Sequence, residues 1–65
     1  MAKNQIALAC EHVTKGRAIV ARQRDLIAQI RGERRDPTQA EDLLVRFEAS
    51  LRLFEEDLER LAGDN

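Results

Sequence analysis

The side chains here with chemistry to offer are few: one histidine, one cysteine and a scatter of carboxylates. Glu11 and His12 are adjacent, and Asp57 would stand near His12 if the two halves of the chain lie antiparallel. Such a trio could move a proton, or supply half of a metal site across a symmetric dimer. Metal sites in helical bundles, however, draw on several inward carboxylates and an E-x-x-H spacing, and that spacing is absent. A part-exposed histidine in an ion pair at the end of a bundle accounts for the same residues. Cys10 reads as a small packed side chain rather than a reactive thiol. One cysteine makes no internal disulfide, and one histidine beside one cysteine makes no structural zinc site. With no nucleophile motif, phosphate loop or metal set, no catalytic, cofactor-binding or metal residue is assigned. No small-molecule substrate is expected, and the chain reads as a non-enzyme.

The elements that must position these residues are two helices. In the second half, Ala40, Leu44, Phe47, Leu51, Phe54, Leu58 and Leu61 follow one another in alternating steps of four and three, the a/d spacing of a helix that lies along another. In the first half, Ile6, Val13, Val20 and Ile27 recur every seven residues, with Ala9, Gly16, Gln23 and Ile30 at the d positions between them. Ala2, Ala9 and Gly16 are small and leave a groove that accepts bulky side chains. Because the apolar period stays in phase across Gly16, the first helix is expected to continue through it. Asn4 is a possible N-cap for that helix, and Arg31, Arg34 and Arg35 suit its negative end. Asp36-Pro37-Thr38-Gln39 starts the second helix: Asp36 caps, Pro37 takes the first position, and Gln39 can complete a capping box. Gly63 follows as its C-terminal cap. The expected helices are about 4–33 and 37–62, within a single all-α domain spanning 1–65.

A short connection makes the pair antiparallel, so the numbers of facing residues sum to a constant, near 70 along the seam. At a sum of 72 the e positions pair Arg31 with Glu41, Arg24 with Glu48, and Arg17 with Glu55, leaving Cys10 beside Ala62. Charge segregation agrees with this pairing. Residues 1–35 carry eight Lys or Arg against three Asp or Glu, net +5, and residues 36–65 carry three against nine, net −6. The g positions on the opposite flank differ in kind: Leu26 faces Leu43, Ile19 faces Ser50 and His12 faces Asp57. A two-helix hairpin has nothing to cover Ile19, Leu26 and Leu43. Two copies closing on that flank into a four-helix bundle is the expected remedy, with Ile19, Leu26, Leu43, Gln23 and Phe47 at the interface. Gln23, opposite Phe47, could fix register there through a buried hydrogen bond. Val45, Ala49 and Leu53 make an i, i+4, i+8 row for a further protein partner.

A 65-residue chain buries only about 60% of its unfolded surface, which makes oligomerisation the expected source of added stability. No segment reaches the roughly 20 apolar residues of a membrane span, and no apolar h-region opens the chain. With a lone cysteine, a cytoplasmic protein without membrane association is expected. The string His12-Val13, Gly16, Val20, Arg22-Gln23, Leu26-Ile27, Asp36, Ala40, Leu43-Leu44, Phe47-Glu48 and Leu51 resembles a group of short, uncharacterised α-helical-hairpin proteins common in alphaproteobacteria. That group has Gly where this chain has Arg34 and Thr where it has Pro37. The resemblance implies no activity and no site. Two function classes stay open. One is a homo-oligomeric protein–protein interaction module, regulatory or adaptor in kind. The other is a nucleic-acid-binding helical dimer like ROP in outline, through Lys15, Arg17, Arg22 and Arg24. Nucleic acid is disfavoured, since Arg17 and Arg24 are claimed by glutamates and no aromatic is placed for stacking.

Overall fold

A computed structural model describes residues 2–63, with side chains from Asn4 onward. It contains two helices, α1 (Ala2–Gly32) and α2 (Thr38–Gly63), and no strand among the described residues. They pack against each other as an antiparallel hairpin. No described helix is long and apolar enough to cross a membrane.

α1 begins two residues before the expected cap, because Ala2 and Lys3 favour a helix and Asn4 therefore lies inside it. It runs unbroken through Gly16, where the absence of a side chain has a packing reason. A Cβ on Gly16 would sit 3.0 Å from Leu51 Cδ1 and 3.7 Å from Phe54 Cδ2, so the bulky residues of α2 occupy that space.

The turn is built from backbone hydrogen bonds. The amide of Arg35 donates to the Ile30 carbonyl and that of Arg34 to the Arg31 carbonyl, both at 3.0 Å. This 6→1 and 5→2 pattern is the Schellman motif, which needs a left-handed residue at its C′ position. Arg34 fills it with φ 59°. Asp36 then caps α2: its Oδ1 accepts from the Thr38 amide at 3.0 Å and from the Thr38 hydroxyl at 2.6 Å, and these bonds hold its carboxyl below the usual range. The capping box with Gln39 does not form among the described residues, since Thr38 takes the cap oxygen. Gly63 is helical, with no positive φ, so it is not the left-handed cap expected there.

The core lies on α1, where Ala9, Val13, Val20 and Ile27 are buried, while no residue of α2 is. Large side chains on α2 cover small ones on α1 but project past them. The hairpin measures 49 × 14 × 12 Å with a radius of gyration of 15.0 Å, against about 11 Å for a compact domain of this length.

Candidate functional site

The two flanks of the hairpin are chemically opposite, and their contents follow from the register. On the e flank, Arg17 Nη2 lies 3.2 Å from Glu55 Oε2, Arg24 Nη2 lies 2.8 Å from Glu48 Oε2, and Arg31 pairs with Glu41. These are the pairs expected at a sum of 72. Each is solvent-exposed on the arginine side and contributes about 0.2–1 kcal/mol, so the ladder selects register more than it adds stability. Cys10 stands at the open end of this flank and is exposed, not packed.

On the other flank, Ile19 is 41%, Leu26 43% and Leu43 39% exposed. Ile19, Arg22, Gln23, Leu26 and Phe47 line a shallow groove there. Gln23 is buried, and its Nε2 donates to the Ala40 carbonyl oxygen at 2.9 Å. Its amide is therefore satisfied within one hairpin, locking α1 to the first turns of α2. Phe47 is half-buried next to it.

At the open end, His12 and Asp57 line the same depression with Leu8, Phe54 and Arg60. They do not form the ion pair considered from sequence. Asp57 pairs with Arg60 one turn along its own helix, and the His12 ring lies against Phe54 with centroids 5.2 Å apart and planes tilted by 39°. Phe54 is available because Gly16 and Ala9 opposite it are too small to cover it. Glu11 is likewise engaged by Lys15, 3.0 Å away. The Lys15 hydrogen bond, with the charge behind it, lowers the Glu11 carboxyl from its ordinary range. No group of three or more His, Cys, Asp or Glu residues able to hold a metal exists among the described residues.

Leu8, 52% exposed, belongs to this flank although sequence reasoning missed it. Its signal in the sequence is the i, i+4 relation to His12, at a position outside the a, d, e and g seam. The row Val45, Ala49, Leu53 is exposed throughout but does not form one patch. Val45 borders the charged flank beside Leu44, Ile27 and Arg31, whereas Leu53 borders the apolar flank beside Phe54 and Asp57. A four-residue step advances the helix face by about 40°, so such a row winds across the surface.

The cations at the border of the apolar flank are Lys15, Arg22, Arg46 and Arg60. Arg22 and Arg46 make no ion pair among the described residues, unlike Lys15 and Arg60. No protein-family model, no curated protein and no solved structure matches this chain.

Proposed function

We propose that this chain is a non-enzymatic interaction module that acts as a homo-oligomer, two hairpins closing over the Ile19, Leu26 and Leu43 flank to form a four-helix bundle. Surface area carries the reading. A folded monomer of 7.4 kDa is expected to expose about 4,200 Å² by the usual scaling of area with mass. This hairpin exposes 5290 Å², a surplus of about 1,100 Å². A standard interface buries about 800 Å² per partner, so one second copy accounts for the surplus. Gln23 serves the interface from beneath, held by Ala40, and Phe47 forms the floor of the groove.

A cytoplasmic bacterial setting and kinship with the alphaproteobacterial hairpin group belong to the same reading. The left-handed Arg34, where that group carries glycine, supports the kinship. The nucleic-acid alternative has less behind it. Of its four candidate cations, Lys15, Arg17 and Arg24 are engaged by Glu11, Glu55 and Glu48, which leaves Arg22.

Sedimentation equilibrium from low to high micromolar concentration tests the proposal. The expected mass is twice the 7.4 kDa of the chain. A folded species of single-chain mass across the range would rule the dimer out. An electrophoretic assay with RNA and duplex DNA is expected to show no shift, and retarded complexes that dissolve as salt rises would favour the alternative.

A further inference from the structure

The apolar flank does not end at Ile19. On α1, Ile19 and Leu26 stand at the heptad position that Gln5 and His12 hold nearer the open end, and on α2 Phe47 is followed at the same interval by Phe54 and Leu61. The groove lined by Ile19, Leu26 and Phe47 and the depression lined by His12, Phe54 and Leu61 therefore lie on one long side of the hairpin. The rim of that side is more apolar at the open end, where Leu8 and Leu53 take the heptad positions that Arg22 and Arg46 hold near the turn. Leu8 is 52% and Leu53 65% exposed. Each half also brings one carboxylate and one guanidinium among its lining residues, Asp25 with Arg22 near the turn and Asp57 with Arg60 at the open end. Neither lining therefore sets an excess of charge against a second copy. Of the large exposed apolar side chains among the described residues, Val45 alone lies on the charged flank.

Area decides how much of this side a second copy must cover. The hairpin is a rod with short dimensions of 14 and 12 Å, so one of its four long sides holds about a quarter of the 5290 Å² exposed. That is about 1,300 Å² over the full length and about 650 Å² over the turn half, against about 800 Å² per partner in a standard interface. The turn half alone falls short. The full side accommodates the surplus of about 1,100 Å², and it brings in Leu8, which lies about 27 Å along α1 from Leu26.

We infer that a second copy of this chain covers the whole length of this side, burying Leu8, Leu53 and Phe54 at the open end together with Ile19, Leu26 and Leu43 near the turn. The inference rests on the dimer reading above and extends its interface to the open-end depression. A second copy running in either direction along the side spans both ends.

Sedimentation equilibrium of the full chain carrying Leu8→Glu or Leu53→Glu tests it, with Val45→Glu as the control. Glutamate forms helix about as well as leucine, and all three positions are exposed in the single hairpin, so the hairpin itself tolerates each change. Leu8→Glu and Leu53→Glu are each expected to weaken the dimer about tenfold or more, because two-fold symmetry brings the unpaired carboxylate into the interface twice. Val45→Glu is expected to stay within about threefold of wild type. Open-end variants that dimerise as tightly as Val45→Glu overturn the inference and leave a dimer confined to the turn half. A wild-type chain of single-chain mass across the concentration range removes the dimer and the inference with it.

Discussion

Arg34 sits in a left-handed conformation, with φ 59°, that costs an L-residue about 1–2 kcal/mol relative to the right-handed helix. Among the described residues its side chain makes no hydrogen bond or ion pair that would be lost on removal. Arg34→Gly removes the steric cost and adds about 0.5–1 kcal/mol of unfolded-state entropy, so a net stabilisation of about 0.5–1 kcal/mol is expected. Thermal unfolding followed by circular dichroism reads this as a midpoint rise of a few degrees, and a fall would mean that the turn is held differently. Gly16 makes the opposite demand. An alanine there gains about 1 kcal/mol of helix propensity but must displace Leu51 Cδ1, 3.0 Å from the new Cβ. That atom is the end of a flexible side chain, so Gly16→Ala should fall near neutral. Gly16→Leu has nowhere to go between Leu51 and Phe54 and should cost about 1–3 kcal/mol. A leucine variant as stable as wild type in denaturant titration would show that the helices are not in close contact there.

The elements depend on their ends, and α2 depends on Asp36. Its carboxylate accepts two hydrogen bonds from Thr38, which lowers its folded-state pKa. A group whose pKa is lower folded than unfolded stabilises above its unfolded value, about 3.9 for aspartate, and loses that contribution as pH falls through the folded value. Asp36→Ala should therefore lower the thermal midpoint near neutral pH, and the gap to wild type should narrow as pH falls below the unfolded value and through the lowered folded one. A gap that stays constant with pH would assign the effect to something other than the charge. At this scale most of the architecture was legible in the sequence. Opposite charges at a constant sum of residue numbers form a long-range constraint, so Arg17, Arg24 and Arg31 specified register along with the apolar seam. What was not legible is decided by local competition. Asp57 had Arg60 within one turn of its own helix as an alternative to His12, and His12 had a Phe54 left open by the small Gly16 and Ala9. The start of α1 was misplaced because Asn is tolerated inside a helix, so a possible cap does not oblige the helix to begin there.

At the scale of the whole molecule, four apolar side chains on one helix make up the buried apolar core among the described residues, which leaves a free-standing hairpin of this size marginal. The dimer proposed above would link folding to association, because a partner that binds only the folded chain stabilises it by mass action. The thermal midpoint is expected to rise as chain concentration rises, and Leu26→Glu separates this linkage from the intrinsic stability of the hairpin. Leu26 is 43% exposed in the single hairpin, so in a monomer the substitution is a surface change worth within about 0.5 kcal/mol. In the bundle it buries a carboxylate beside Leu43 and opposes closure. The variant should sediment as a single chain, lose the concentration dependence of its midpoint, and show a lower helical signal and midpoint than wild type at high concentration. If Leu26→Glu instead melts at the wild-type temperature with the same concentration dependence, the Ile19, Leu26, Leu43 flank is not the surface through which this chain associates.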